Sequence, residues 1–190
     1  MCGRIEVKKN VIDSLVSQAL HIRFDAIHNI DLRPSQKAAC LRFSHGQLTQ
    51  VRPSWGIKPD WSKHPLINAQ AETVAVKKTF SAAFALHRCV IPCTGWFEWT
   101  GEPGRKTKYR FGHAANKVLY MAGILFPGSE DDGAFVSLTT AADNQCAAYH
   151  HRMPFFIEPL KVLDWLSLPQ ISQRDFMPET NLPFNVAQSA

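Results

Sequence analysis

Arg88-Cys89-Val90-Ile91-Pro92-Cys93-Thr94-Gly95-Trp96-Phe97-Glu98-Trp99-Thr100 is the stretch whose reading decides the fold. Apolar residues on either side of Thr94-Gly95 read as two strands, over 87–92 and 96–100. The turn Gly101-Glu102-Pro103-Gly104 then leads into a basic strand over 105–111. Two further apolar runs, 118–126 and 134–140, are separated by a Pro- and Gly-containing acidic connection over 127–133. Upstream, residues 38–51 read as a hairpin around Ser44-His45-Gly46-Gln47, followed by a polar loop with Trp55 and Trp61 at its ends. Helices are fewer and shorter. One covers 11–20 behind an Asn10 cap, and a second runs to 86 behind Thr79. A third covers 143–149 behind Asp143, and a fourth covers 159–166 with Pro159 in its first turn. With more strand than helix, no internal repeat and no dividing linker, the expectation is one α+β domain over 1–190.

The 190 residues suffice for a closed hydrophobic core. A hydrophobic content of 45% with only 19% charged residues excludes a disordered chain. No run of 18 apolar residues is present, and the start lacks the apolar stretch of a signal peptide. A cytoplasmic location is therefore expected. Twenty-one Lys and Arg against 16 Asp and Glu leave a charge of +5. That balance favours an anionic partner, nucleic acid first, although an ordinary basic protein fits it equally well. Five irregularly spaced cysteines read as free thiols rather than a disulfide framework.

Position 2 carries the most chemistry. Removal of the initiator Met1 leaves Cys2 with a free α-amine beside its own thiol. Such an amine has a pKa of about 7.7–8.0 and a thiol about 8.5, so both are partly nucleophilic near neutral pH. The amine can condense with an aldehyde to an imine, onto which the thiol closes to form a five-membered thiazolidine. No internal cysteine can do this. The opposing reading is a buried terminal cysteine with no chemistry. Gly3 permits close backbone approach, and Arg4 suits a phosphate beside the reaction centre or a surface ion pair.

Four further segments accompany Met1-Cys2-Gly3-Arg4: 55–61 (Trp55 to Trp61), Asn68-Ala69-Gln70-Ala71-Glu72-Thr73, the strand pair quoted above, and His150-His151-Arg152-Met153-Pro154. In this order they resemble the SRAP family, the SOS response-associated peptidases or abasic-site processing proteins. The resemblance runs from Cys2 to about Pro159. It implies a compact α+β fold with a curved, barrel-like β core and flanking helices. It further implies single-stranded DNA carrying abasic sites as partner and a thiazolidine cross-link through Cys2. Autoproteolytic removal of Met1 and a lyase activity come with the family as well. By the same resemblance Asn68 hydrogen-bonds near the reacting amine or sugar, Glu98 moves protons, and His150 assists sugar ring opening. No cofactor or metal is implied, and a monomer is expected.

Candidate DNA contacts are Arg4, Trp55, Lys58, Trp61, Lys106, Lys108 and Arg152. Aromatic residues beside cations suit stacking with phosphate contacts, and alternate cations of the basic strand share one face. Arg152 equally suits a bridge to Glu72 or Glu98. Glu98 between aromatics equally suits the solvent face of a strand, and Asn68 a helix cap. The chain departs from the family pattern at Gln70 and Ser81, where Arg is usual, at Lys108 in place of Pro, and at Asp31 in place of Asn. Rival readings are an N-terminal-nucleophile glutamine amidotransferase using Cys2, a non-covalent single-stranded DNA-binding module, and, more remotely, a zinc site from His87, Cys89 and Cys93.

Overall fold

The computed structural model describes residues 2–102, 104–128, 132–169, 173–176 and 182–189. Met1, Pro103 of the 101–104 turn and residues 129–131 of the acidic connection lie outside the described residues. In chain order the elements are β1 (Ile5–Val7), α1 (Lys9–Leu20), β2 (Asn29–Leu32), β3 (Cys40–Ser44), β4 (Gln47–Val51), β5 (Ser54–Trp55), β6 (Asn68–Gln70) and α2 (Ser81–Leu86). They continue with β7 (Arg88–Cys93), β8 (Gly95–Thr100), β9 (Thr107–His113), β10 (Leu119–Phe126), β11 (Ala134–Ala141), β12 (Arg152–Pro154) and β13 (Phe156–Ile157). A 3-10 turn (Pro159–Lys161) leads into α3 (Val162–Ser167), and β14 (Phe184–Ser189) closes the described chain.

The strands form two curved sheets that do not close into a barrel. One has five strands in the order β14-β9-β8-β1-β2. The other has nine, along β12-β11-β10-β7-β3-β4, with β13 beside β10 and with β5 and β6 beside β11. The opening motif sits at the junction: β7 belongs to the larger sheet, β8 to the smaller, and Thr94-Gly95 turns between them. Gly95 is required there, because a Cβ would sit 2.4 Å from the Phe111 carbonyl oxygen.

All six residues of β7 are buried, as a strand covered on both faces requires. On β8, Trp96 stacks on Phe111 with ring centroids 4.7 Å apart and meets Phe156 and Phe184. Strand alternation puts Glu98 on the Trp96 side and Phe97 and Trp99 on the other. The hairpin turn is as expected: Ser44 pairs with Gln47, and His45 and Gly46 both adopt positive φ, the geometry of a two-residue turn.

Helix starts differ from the caps read in the sequence. Lys8, not Asn10, caps α1, and Phe80, not Thr79, caps α2, neither with a side-chain bond. Residues 144–149 form successive turns rather than a helix. Asp143 Oδ1 still accepts from the Gln145 and Cys146 amides. Among the described helices none is long and apolar enough to cross a membrane.

Buried ionic groups support this frame. Arg110 Nε donates to Glu6 Oε1 at 2.9 Å, and Thr94 Oγ1 donates to Glu6 Oε2 at 2.7 Å. Burial pushes the Glu6 carboxyl up, but hydrogen bonds from Arg110 and Thr94 prevail and hold it below its usual value. Arg88 donates to the carbonyls of Phe84, Ala85, Trp165 and Leu168, joining the ends of α2 and α3. Those last-turn carbonyls have no partner within their own helices.

Candidate active site

Cys2 is 1% exposed and lies just before β1. Asn68, opening β6, donates through Nδ2 to the Cys2 carbonyl at 2.8 Å. Parallel pairing of β6 with β11 places Asn68 opposite Ser137, and the Ser137 hydroxyl donates to Asn68 Oδ1 at 2.5 Å. Asn68 is thus a strand residue that holds the backbone of the candidate nucleophile, not a helix cap.

Beside Cys2 opens a cleft of about 470 Å³, lined by Gly3, Arg4, Glu98, Trp99, Lys106 and His150. Pairing of β1 with β8 brings the amino terminus there, with Ile5 opposite Trp96 and the Phe97 amide donating to the Arg4 carbonyl. Glu98 is 4% exposed, which overturns the solvent-face reading of its motif. Burial raises its carboxyl to about 7, with the positive charge of the amino terminus working in the opposite direction. Burial and the neighbouring Glu98 charge push the Cys2 thiol well up. The thiol is therefore protonated near neutral pH, and its ionisation would require a base.

His150 follows the Asp143 turns and precedes β12. Its Nδ1 lies 3.0 Å from the Arg152 backbone N–H and 3.1 Å from the Arg152 carbonyl oxygen, accepting from the one or donating to the other according to the ring's tautomer. Burial lowers its pKa, and the positive amino terminus adds to that effect. His151, its rival for the role, is exposed and stacks on the His150 ring at 4.4 Å. Cys2, Asn68, Glu98 and His150 are thus brought around one end of the two-sheet junction.

The expected DNA contacts divide. Trp55 is corrected: it is 1% exposed, stacks on Phe135 at 5.7 Å, and donates Nε1 to the Ile67 carbonyl at 2.9 Å. It is core, with no face to offer a base. Arg152 is held by Glu72 in a two-point pair at 2.9 and 2.8 Å, with a third bond to the Thr139 carbonyl. The structure favours the Glu72 bridge over a phosphate contact at this residue. Arg4 lines the cleft, yet both its contacts at 2.7 and 2.9 Å go to Asp31, and its guanidinium lies 5.4 Å over the Trp99 ring. Lys108 sits 4.3 Å over the Phe97 ring and 3.7 Å from Asp31. Lys58, Trp61 and Lys106 are exposed.

Asp31, Ser137 and Trp99 are site residues that the sequence motifs did not single out for such roles. Although burial pushes the Asp31 carboxyl up, hydrogen bonds from Arg33 and Arg4 hold it at about 2. Two departures from the family pattern, Asp31 and Lys108, are therefore in contact. Ser137 had one faint signal, a small polar residue inside the apolar run 134–140. The zinc reading is corrected: Cys89 and Cys93 lie four residues apart on β7, about 13 Å along a strand, and His87 is exposed. Among the described residues no cluster of His, Cys, Asp or Glu could hold a metal.

A model of the SOS response-associated peptidase (SRAP) family matches residues 1–186. The chain belongs to that family. Among curated proteins it is 30% identical over 178 residues to the abasic site processing protein YedK of Escherichia coli, covering 87% of this chain and 79% of that one. It is 26% identical to YoqW of Bacillus subtilis, also named an abasic site processing protein, covering 97% of this chain and 88% of the relative. The same fold is seen in solved structures as well. A crystal structure of a protein from Bordetella bronchiseptica matches with a TM-score of 0.82 at 21% identity, covering both chains completely. One from Bacteroides thetaiotaomicron matches with a TM-score of 0.76 at 19% identity, covering 98% of this chain and 91% of that one.

Proposed function

We propose that this SRAP protein processes abasic sites by capturing the open-chain sugar aldehyde of single-stranded DNA on Cys2, freed of Met1. The observation that carries the reading is the second-residue thiol lying beside a buried Glu98 whose carboxyl titrates at about 7. The abasic-site processing names of YedK and YoqW point to the same substrate.

The chemistry follows from these groups. His150, in the tautomer whose Nδ1 accepts the Arg152 amide, donates Nε2–H toward the sugar ring oxygen as the hemiacetal opens, exposing the C1′ aldehyde. The Cys2 amine adds to that carbon, and protonated Glu98 gives its proton to the departing hydroxyl, releasing one water and leaving an iminium. Glu98, now a carboxylate, takes the thiol proton as Sγ bonds to the same carbon. The ring closes with one water lost overall, and Glu98 ends as it began. A carboxyl near neutral pH serves both halves of such a cycle, because each protonation state is populated. Asn68 holds the Cys2 carbonyl and so fixes the backbone that carries amine and thiol. Lys106 in the cleft lining, with the exposed Lys58 and Trp61, supplies the exposed part of the strand contact.

The reading is tested by incubating Met1-free protein with an oligonucleotide bearing one abasic site, or with the intact-base strand, and resolving the products on a denaturing gel. A retarded band restricted to the abasic strand, and lost in Cys2→Ala, is the expected outcome. Release of ammonia from glutamine without any such band would favour the amidotransferase alternative. Equal, salt-sensitive and purely reversible binding of both strands would favour the non-covalent module.

A further inference from the structure

Ser137 sits in the middle of β11 with 1% of its surface exposed, and its hydroxyl has a choice of two acceptors. The Ile67 carbonyl is 3.1 Å away and Asn68 Oδ1 2.5 Å. The Ile67 carbonyl already accepts two N–H groups, the Ser137 amide at 3.1 Å and Trp55 Nε1 at 2.9 Å. Two donors fill the two lone pairs of a carbonyl oxygen. A serine hydroxyl has one proton to give, and the shorter contact to Asn68 is the one left for it. Once Oδ1 is an acceptor for Ser137, the Asn68 side chain has a single orientation, with Nδ2 toward the Cys2 carbonyl at 2.8 Å. The flipped amide would set Oδ1 against the Cys2 carbonyl oxygen, acceptor against acceptor, and would leave the hydroxyl, now accepting from NH2, only the occupied Ile67 carbonyl for its own proton.

We propose that Ser137 is a positioning residue for the nucleophile: its hydroxyl fixes the Asn68 amide, and the amide in turn fixes the backbone of Cys2. Trp55 has a part in this, because its indole N–H occupies the competing carbonyl. The link to reactivity rests on the covalent-capture reading; the relay itself does not.

The test uses the full chain, as Ser137→Ala and Ser137→Thr, each alone and on an Asn68→Ala background. Two readouts are followed: the rate of adduct formation at saturating abasic strand, and the NMR signals of the Asn68 side-chain amide without DNA. Loss of one such hydrogen bond corresponds to about a five- to tenfold slower reaction in Ser137→Ala. The half-saturating DNA concentration should stay unchanged, and Ser137→Thr should recover most of the rate. On the Asn68→Ala background, Ser137→Ala should have no further effect. The Asn68 amide signals should move in Ser137→Ala and not in Ser137→Thr. Equal rate losses with and without Asn68 would overturn the proposal, since Ser137 would then act through packing. Unmoved Asn68 signals in Ser137→Ala would overturn it as well. An unmodified protein that forms no adduct, with signals that still move, would contradict the capture reading and leave the relay standing.

Discussion

Glu6 and Glu98 lie on neighbouring strands of the five-stranded sheet, 5% and 4% exposed, yet they behave as opposites. Glu6 on β1 accepts from Arg110 and Thr94 and is held ionised below its usual range. Gly112 leaves room for that fork, since a Cβ there would lie 2.7 Å from an Arg110 guanidinium nitrogen. Glu98 on β8, next to the cleft, is raised by burial to about 7. The same residue type at the same depth is thus held ionised in one place and raised toward neutral pH in the other. At Glu6 the hydrogen bonds from Arg110 and Thr94 outweigh burial, whereas at Glu98 burial outweighs the amino-terminal charge.

The sharpest way to break this comparison is Glu98→Gln. A group that both gives and takes a proton accounts for about 10²–10⁴ in rate. Single-turnover adduct formation should fall by that order, with the melting temperature unchanged or raised. A loss below about threefold would remove Glu98 from the chemistry. Glu6→Gln should do the reverse. It leaves Arg110 without its counter-ion, which costs about 2 kcal/mol in urea unfolding, less than for a fully buried pair because Arg110 keeps some water. The adduct rate of the folded fraction should stay within about twofold of the unmodified protein.

The two carboxyls also carry opposite pH linkage. Glu98 has a native pKa above its unfolded one. Its contribution is full below about 4.5 and falls away as pH rises toward 7. For Glu6 the native pKa is depressed, so its contribution is present above about 4.5 and is lost as pH falls through the native value. Glu98 should therefore add a downward slope to urea midpoints between 4.5 and 7, opposed toward the upper end by His113 and His150, whose pKa values burial lowers, and Glu98→Gln should remove the downward part without touching the acid limb. A slope unaltered by Glu98→Gln would mean that the carboxyl titrates normally. The smallest effect expected is at the rim. Lys106→Ala should weaken strand binding about two- to threefold and reduce the salt dependence by roughly one counter-ion, with the saturated adduct rate unchanged.

The sequence made the frame legible where contacts are local or patterned. The strands about Thr94-Gly95, the His45-Gly46 hairpin and the two apolar runs all stand where their periodicity puts them. It was less informative where a residue's partner is far along the chain. β5 and β6 are two and three residues long and take their place in the sheet by pairing with β11, some 70–80 residues later. β14 likewise depends on β9. The same holds within the site. Cys2, Asn68, Glu98 and His150 were readable as motifs, but Arg4 and Arg152 stayed open between a phosphate contact and an ion pair, because Asp31 and Glu72 are 27 and 80 residues away. Trp55 resembled a stacking platform until its indole was seen occupying the Ile67 carbonyl. Burial of Glu98 could not be inferred from alternation, since β8 is covered on both faces through that residue.

The most direct test of the central claim, that Cys2 and Glu98 form a reagent for the abasic aldehyde, is intact mass spectrometry of the Met1-free protein with an abasic oligonucleotide, before and after borohydride. The account predicts one adduct at the summed masses less one water. Borohydride treatment should leave it unchanged, because a closed thiazolidine has no imine to reduce. It should form slowly in Glu98→Gln and not persist in Cys2→Ala. Absence of an adduct, a gain of two hydrogens on borohydride treatment, or equal yield from the intact-base strand would contradict it.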